Sequence, residues 1–441
     1  MLSYIKKMES KDLYNIKIYK ESNKSTYISF DNFEKFKSTY SDTVCYSIDA
    51  MYKKQSCCIA IDGEIMSVDN LVSILKLNAP LNLKYQNNFF PKFHNRKYIN
   101  FKKTKNEFLE LSEDNKIEIL NYIKEEILKC VYVEKILNLS YTENISTREV
   151  FMSGLNFPLK DSNSFSYLYL EIIANTGGQR KIISNDCSLK LIEKFDYLTF
   201  CKETIKKCNE VLCEETVKNG KYKIIIKPSV LCDLLEILVE HFSGEAVMNG
   251  TSIFTINSDY IFSNNITIID DPFIEDGLRS TFFDDEGTPC EKTIIVEKGH
   301  LNSFLHNNKT SIYFKCNSTG NGFNSGYNSP ISVHSTNLYI CPCNGVSFSE
   351  LLKIMNDGII ISEVFGVSSS FDSLNGNYSL RVNGFKVNNS VVTSKINSFC
   401  ITGNIKELLN NVLQIGEDIS FNNASIGCPS ILFDKQTVIF D

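Results

Sequence analysis

From Gly244 onward the sequence consists of short strand-like segments separated by turns, which restricts the second half of the chain to a β-rich fold. Two short helices are predicted to interrupt the strands, within "FSELLKIM" and "IKELLNNVL". Turn-forming pairs recur at Asp276-Gly277, Glu286-Gly287, Lys298-Gly299, Asn375-Gly376 and Asn388-Asn389. The pattern predicts an antiparallel domain that can close into a barrel.

The first half of the chain mixes helices and strands. Because 441 residues exceed the length at which a single core stops growing, two domains are expected. We place the boundary between an α/β domain, residues 1–219, and a β-rich domain, residues 220–441. The predicted fold class is α+β.

Several elements of the first domain can be predicted individually. "SCCIAIDGEIMS" has the pattern of a hairpin that turns at Asp62-Gly63, and "FSYLYLEIIANTGGQRKIIS" that of two strands joined at Gly177-Gly178. "NKIEILNYIKEEILKC" predicts an amphipathic helix with Ser112 as its N-cap. A second long helix carries Cys201 and Cys208 on one apolar face and is predicted to end at Gly220.

Composition excludes several classes of protein. A formal net charge of -6, with basic and acidic residues interspersed, gives no basic surface for nucleic acid. Apolar runs are far shorter than the ~20 residues that span a bilayer, and the start "MLSYIKKMESKD" lacks the apolar core of a signal peptide. The 15 cysteines form no C-x-x-C pair, and "CPC" at residues 341–343 is interpreted as structural. We therefore expect a cytoplasmic protein with reduced thiols.

The segment "LLEILVEHFSGEA", residues 234–246, has the apolar spacing of a helix and contains His241. Zinc peptidases commonly hold the metal with two histidines four residues apart, but Ile237 stands four residues before His241. Glu236 stands five residues before His241, and at about 100° per residue the two side chains diverge unless the helix is locally widened. We favour the interpretation that the glutamates form a solvated face and that His241 lies at the end of a helix over the interpretation as a metal site. Gly244 is predicted to end this helix. The other histidines, His94, His300, His306 and His334, have no partner at ligand spacing.

The acidic segment "DDPFIEDGLRSTFFDDEGTP" has two interpretations. Clustered carboxylates can bind Ca²⁺ or Mg²⁺, but Asp and Gly between strands more often form turns, and turns are favoured here. The carboxylates are Asp270, Asp271, Asp284, Asp285 and Glu286. The glycine-rich loop "STGNGFNSGYNSP" matches no phosphate-binding motif.

Taken in order, these motifs resemble the TldD/PmbA family, once named as modulators of DNA gyrase. The resemblance covers essentially the whole chain and is strongest from about residue 222. Further segments that carry it are "KGHLNSFLHN", "DGIIISEVFG", "LNGNYSLRVNGFKV", "CITGNIKELLNNVLQIGEDI" and "SIGCPSIL".

The resemblance implies a dimeric two-domain protein and a peptidase complex of two related subunits that acts on unfolded peptides or peptide precursors. TldD-type subunits hold zinc through an HExxxH helix and a cysteine, whereas PmbA/TldE-type subunits have lost that site. On this sequence Glu236 stands in place of the first histidine and Ile237 in place of the catalytic glutamate, so only His241 matches. Cys428 lies in a Gly-x-Pro turn, and its assignment as a ligand is not carried over.

The first hypothesis is therefore a non-catalytic PmbA/TldE-type subunit with a degenerate metal site at Glu236, Ile237 and His241. It binds no cofactor of its own, because zinc is expected in a TldD-type partner, and it forms a heterodimer or a homodimer without contacting membrane or nucleic acid. Alternatives are a self-sufficient metallopeptidase with a reassigned metal, and a gyrase-modulating binding protein. The candidate peptide-binding residues are Asp271, Arg279, Asp284, Thr319, Gly320, Asn321 and Gly322.

Overall fold

The structure, a computed structural model, describes residues 1–30, 35–81, 98–99, 101–176, 179–209 and 218–440. The chain divides into two compact units, and each contains more than one stretch of sequence. The first unit comprises Met1–Asn209, Thr281–Cys290 and Gly322–Ser332. The second comprises Glu210–Ser280, Glu291–Asn321 and Val333–Asp441. Independent folding on either side of residue 219 remains a prediction.

A six-stranded antiparallel sheet forms the framework of the first unit, in the order β3-β2-β1-β4-β5-β6. Its strands are β1 (Tyr14–Phe30), β2 (Phe36–Tyr52), β3 (Gln55–Asp62), β4 (Val133–Met152), β5 (Leu159–Thr176) and β6 (Gln179–Leu189). The strands predicted around Gly177-Gly178 are confirmed as β5 and β6, and the turn itself lies outside the described residues. The hairpin predicted at Asp62-Gly63 is wrong, because Gly63 adopts a left-handed φ of 84° and the chain continues into a helix.

The helices of the first unit are α1 (Leu2–Glu9), α2 (Val68–Asn78), α3 (Glu113–Leu128) and α4 (Tyr197–Asn209), with 3₁₀ turns at Ala79–Leu81, Glu107–Glu110 and Ile192–Lys194. Helix α3 begins as predicted, since the Ser112 hydroxyl accepts a hydrogen bond from the Asn115 amide at 3.2 Å. Cys201 and Cys208 are buried on α4, which confirms their apolar role. Gly220, predicted to end this helix, instead opens a strand.

The later segment Thr281–Cys290 contributes to the core of the first unit. Phe283 is fully buried in a cluster with Tyr19, Val150, Met152 and Leu159. The chain therefore returns to this unit at Thr281, 92 residues after β6 ends at Leu189.

The remaining strands belong mostly to the second unit and form two further six-stranded sheets. The first has the order β10-β9-β8-β13-β19-β18, and the second β16-β15-β14-β7-β20-β17. An additional pairing of β16 with β20 closes five strands of the second sheet into the predicted barrel. The strands are β7 (Gly220–Ile226), β8 (Ile268–Asp270), β9 (Thr293–Glu297), β10 (His300–Leu301), β11 (Gly322–Asn324), β12 (Ile331–Val333), β13 (Leu338–Ile340), β14 (Gly358–Phe365), β15 (Asn377–Asn388), β16 (Val391–Asn404), β17 (Val412–Ile415), β18 (Ser420–Phe421), β19 (Ile426–Cys428) and β20 (Ile431–Ile439). Strands β11 and β12 pair as a two-stranded sheet.

The described residues from 218 to 440 form six helices: α5 (Pro228–Val239), α6 (Gly244–Asn249), α7 (Asn308–Phe314), α8 (Phe348–Met355), α9 (Val367–Ser370) and α10 (Ile405–Asn410), with a 3₁₀ turn at Glu240–Phe242. Helices α8 and α10 are the two predicted interruptions. Helices α6, α7 and α9 were missed because they are only four to seven residues long and rich in polar residues. The structure confirms the α+β class. The second half of the chain was predicted to be antiparallel, but the strand pairs β7–β14 and β13–β19 are parallel. Within the described residues, no helix combines the length and hydropathy needed to cross a membrane.

Candidate functional site

Helix α5 positions the residues that resemble a peptidase helix. Pro228 occupies its first turn, where a missing N–H costs nothing. Leu231, Leu234 and Leu238 are buried against the barrel core, in keeping with the apolar spacing of this segment. The helix ends at Val239 and tightens into the 3₁₀ turn that carries His241.

Gly244 does not end a helix, in contrast to the prediction. The Ser243 hydroxyl accepts a hydrogen bond from the Glu245 amide at 3.1 Å and caps α6, which begins at Gly244. A Cβ at residue 244 would lie 2.4 Å from Nδ1 of His306. Close packing against His306 therefore explains the glycine.

Glu236 and His241 lie in different surroundings. Glu236 is exposed, and its Oε2 accepts a hydrogen bond from Nδ2 of Asn422 at 3.2 Å. Ile237 is half-buried and packs against the barrel core. His241 is buried, with 4% of its surface exposed.

One hydrogen bond to the ring of His241 determines its tautomer. Its Nδ1 accepts the amide N–H of Ile253 at 3.3 Å, so the proton of the neutral ring resides on Nε2. Nε2 is itself buried without a hydrogen-bond partner. Burial and the charge of Lys406 lower the pKa of His241, which keeps the ring neutral.

Cys428, the cysteine nearest the C-terminus, is buried on β19 beside Cys232 of α5. Burial and a thiol–thiol hydrogen bond to Cys232 raise the pKa of Cys428 well above its ordinary value. Because zinc binds the thiolate, a protonated, buried thiol is a poor ligand. Among the described residues, no three His, Cys, Asp or Glu side chains converge in a way that would hold a metal ion. These residues do not fit the zinc site that the resemblance implies for catalytic subunits.

The acidic segment forms a buried turn, as favoured from the sequence. In the first unit, Asp284 Oδ1 accepts the amides of Glu286 and Thr288 at 3.1 and 2.8 Å, and its Oδ2 accepts that of Gly322 at 2.9 Å. Burial, and then the charge of Glu286, raise the pKa of Asp284 well above its ordinary value. Asp285 pairs with the Arg148 guanidinium at 2.6 Å.

In the second unit, Asp270 is the centre of a buried polar network. Its carboxylate accepts the amide and hydroxyl of Thr336 at 2.8 and 3.0 Å and Nδ2 of Asn321 at 2.8 Å. Burial raises the pKa of Asp270 to about 6 despite these donors. The His306 amide donates to the Thr319 hydroxyl at 2.8 Å in the same network, and burial lowers the pKa of His306 to about 4.

The seven predicted peptide-binding residues are therefore not equivalent. Asp284 and Gly322 belong to the first unit and the other five to the second. All are buried except Arg279, whose side chain is exposed while its amide donates to Oδ1 of Asn337 at 3.2 Å. Asp271 is held by Lys292 at 2.8 Å and by the Phe273 amide at 3.0 Å.

The other histidines that the structure describes do not form a ligand cluster. Nδ1 of His300 pairs with Asp259 at 2.6 Å on the surface, and Nδ1 of His306 lies 3.1 Å from the Thr310 hydroxyl. The spacing of residues along the sequence did not indicate that Asp259 and Thr310 are the partners of these histidines. His94 lies outside the described residues.

Comparisons with known proteins extend over most of this architecture. Residues 219–439 match the model of the PmbA/TldA metallopeptidase C-terminal domain. A metalloprotease PmbA homologue from Buchnera aphidicola is 26% identical over 86% of this chain and 83% of its own. A zinc metalloprotease TldD homologue from Saccharolobus solfataricus is 24% identical over 71% of this chain and 70% of its own.

Solved structures share the complete fold. TldE from Thermococcus kodakarensis superposes with a TM-score of 0.85 at 20% identity, with 99% of each chain covered. A Thermotoga maritima protein described as a candidate modulator of a DNA gyrase gives a TM-score of 0.88 at 22% identity, again over 99% of each chain. The family model spans half of the chain, the relatives carry the family's names, and the fold is the same throughout, so the chain belongs to the PmbA/TldD metallopeptidase family.

Proposed function

We propose that this chain is the non-catalytic, PmbA/TldE-type subunit of a two-subunit zinc peptidase. The observation that carries the proposal is Ile237, a hydrocarbon side chain at the position where the family resemblance places the catalytic glutamate. A positioned general base contributes roughly 10²–10⁴ to a rate, and an isoleucine cannot supply it.

The surroundings of the other two positions support the same conclusion. Glu236 is exposed and bonded to Asn422, whereas His241 is buried with its Nδ1 occupied by a backbone amide. A catalytic zinc normally needs three protein ligands that converge on one point. The metal is therefore assigned to a TldD-type partner, with which this chain forms a heterodimer.

Within the complex, Arg279 is the proposed contact for a peptide substrate. Its exposed guanidinium has no ion pair with a described carboxylate, while its backbone is fixed by Asn337. A guanidinium recognises a carboxylate with two parallel hydrogen bonds. Unfolded peptides and peptide precursors, which present acidic side chains and a free C-terminus, are the substrate class that this chemistry suits.

The test is co-expression of this chain with a homologue that carries an intact HExxxH motif. We expect the two to co-purify, zinc to be present at about one equivalent per heterodimer, and hydrolysis of an unfolded protein substrate to require both chains. Arg279→Gln should raise KM for the peptide without changing zinc content, and Arg381→Gln, another exposed arginine, provides the control.

Peptide hydrolysis by this chain alone that a chelator abolishes would contradict the proposal and favour a self-sufficient metallopeptidase. Stoichiometric metal in the isolated chain, lost on His241→Ala, would do the same. Failure of the two chains to associate would reject the heterodimer.

A further inference from the structure

The segment Cys341-Pro342-Cys343, which follows β13, contains a disulfide. The sulfur atoms of Cys341 and Cys343 are joined, and the two Cα atoms lie 5.3 Å apart, within the usual span of a disulfide. No other disulfide is present among the cysteines that the structure describes. This pair is therefore a departure from the reduced thiols that the sequence predicts.

The disulfide has little to contribute to the stability of the fold. A disulfide constrains the unfolded chain less as the loop that it closes becomes shorter, and only Pro342 separates these two cysteines. Cys343 is exposed and Cys341 is half-buried, so the bond is accessible from solution. Exposed disulfides are the ones that exchange most readily with other thiols. Where thiols are kept reduced, a disulfide is usually transient and redox-active.

The loop that carries the disulfide is fixed by contacts that do not involve sulfur. The amide of Cys341 donates to the Thr267 carbonyl at 2.8 Å. Gly345 packs so closely on the neighbouring backbone that a Cβ would lie 2.6 Å from the carbonyl oxygen of Gly416. Between these contacts the ring of Pro342 restricts the backbone. Because the loop is held in this way, the two thiols stay near each other when the disulfide is reduced.

We propose that Cys341 and Cys343 form a thiol–disulfide exchange site for low-molecular-weight disulfides of the glutathione class. The Cys343 thiolate, the more exposed of the two, attacks one sulfur of glutathione disulfide, an S–S bond forms between them, and one glutathione thiolate leaves. The Cys341 thiolate then attacks the sulfur of Cys343, and the second glutathione thiolate leaves.

The exchange is balanced in atoms and electrons. The two cysteine thiols are oxidised to the disulfide, and glutathione disulfide is reduced to two molecules of glutathione. The two leaving thiolates take up the two protons that the cysteine thiols release. An excess of glutathione drives the same steps in reverse.

This proposal goes beyond the peptidase function and does not depend on it. None of the residues assigned to the degenerate metal site or to peptide binding belongs to the loop between β13 and α8. Either proposal can therefore fail without the other.

The test is equilibration of the full chain with mixtures of glutathione and glutathione disulfide, followed by acid quenching, alkylation and tryptic digestion. Trypsin releases both cysteines in one peptide, residues 316–353, and a Cys316→Ser background leaves them as the only cysteines of that peptide. Mass spectrometry then gives the ratio of disulfide to dithiol. At a fixed concentration of glutathione disulfide, a tenfold rise in glutathione should lower this ratio about a hundredfold, since each disulfide formed releases two glutathione molecules.

Single thiols provide the matched controls. Cys341→Ser and Cys343→Ser each leave one thiol, which can form only a mixed disulfide with glutathione, so the same rise should lower the oxidised-to-reduced ratio only about tenfold. Cys58, an exposed residue of β3, should follow the same tenfold dependence in the same digests. The mixed disulfide should form more slowly in Cys343→Ser than in Cys341→Ser, because the remaining sulfur is less accessible.

Three results would overturn the proposal. A disulfide that persists at every glutathione concentration until the chain is unfolded in urea would be structural. A pair that remains a dithiol throughout would not be an exchange site. Two cysteines that each follow the tenfold dependence in the Cys316→Ser chain would be independent thiols.

Discussion

The carboxyl group of Asp270 is fully buried and joins three separate stretches of the second unit through Thr336 and Asn321. Its hydrogen bonds favour the ionised form, but burial outweighs them and raises the pKa from 3.8 to about 6. Asp270, one of the candidate cation ligands, is thus a structural acid whose pKa lies above its ordinary value.

We predict that Asp270 makes stability depend on pH in an identifiable way. The folded protein holds this proton more tightly than the unfolded chain, so the contribution of Asp270 is complete below pH 4 and is lost as the pH rises to about 6. The free energy of unfolding of the wild type, relative to Asp270→Asn, should fall by about 3 kcal/mol across that window. Urea unfolding at a series of pH values measures this difference. The exposed residue Asp42 provides the control, since the wild type and Asp42→Asn should differ by the same amount at every pH. A difference between the wild type and Asp270→Asn that also stays constant with pH would contradict the prediction.

We predict that His241 serves the fold and not the chemistry. Asparagine can present an oxygen where Nδ1 accepts the Ile253 amide, so His241→Asn should cost less than about 1 kcal/mol, whereas His241→Ala leaves that amide unpaired and should cost about 1–3 kcal/mol. Neither change should alter the zinc content or the peptidase activity of the heterodimer. Loss of zinc in a His241→Asn complex that remains folded would show that His241 is a ligand.

At the scale of elements, the barrel depends on a close approach between β14 and β15. The register of this pair shifts at Gly384, where a Cβ would lie 2.0 Å from the carbonyl oxygen of Ile360. Only a residue without a side chain allows these two strands to pair there.

Gly384→Ala should therefore destabilise the second unit by about 3 kcal/mol or more, because backbone atoms must separate to admit the methyl group. Gly220→Ala, in the neighbouring strand β7, is the matched control, since its Cβ would meet the Tyr222 ring at an ordinary 3.4 Å and the Lys218 carbonyl oxygen at 3.9 Å. Thermal unfolding of both variants measures the contrast. Equal transition temperatures would show that the barrel does not require this approach.

Elements could be predicted from the sequence where the residues that carry the signal are the same few residues that form the element. Ser112 caps α3 and the leucines of α5 face the core because capping and helical periodicity are local properties. The hairpin at Asp62-Gly63 failed because a glycine with positive φ is equally compatible with a turn into α2. Helix α7 was missed because its start depends on the reciprocal bonds of Asn307 and Thr310, which the helix propensities of these residues do not suggest.

The candidate site was less predictable than the fold. The residues Thr319 and Asn321 lie in a glycine-rich segment that is expected at the surface, yet both are buried by long-range partners such as His306 and Asp270. Ile237 was informative from the sequence because an isoleucine stands where the family resemblance places a glutamate.

At the scale of the whole molecule, the first unit is completed by residues that begin 72 positions after its first stretch ends at Asn209. Arg148 is mostly buried and pairs with Asp285 at 2.6 Å, and Phe283 is inserted among Tyr19, Val150 and Met152. The first 209 residues alone therefore lack part of their own core and the nearer of the two carboxylates that pair with Arg148, since Asp161 lies 3.5 Å from the guanidinium.

We predict that a fragment ending at residue 219 is less stable than the same unit in the full chain. Loss of Phe283 opens the apolar cluster around Val150, and Arg148 loses its 2.6 Å pair with Asp285 and keeps only the longer one with Asp161, at 3.5 Å. Phe283→Ala in the full chain should reproduce the apolar part, about 3–5 kcal/mol, whereas Phe165→Ala, at an exposed position of β5, should change little. Urea unfolding followed by far-UV circular dichroism compares the three proteins. A fragment as stable as the first unit of the full chain would instead establish residue 219 as a true folding boundary, and the later segments as additions to a domain that is already complete.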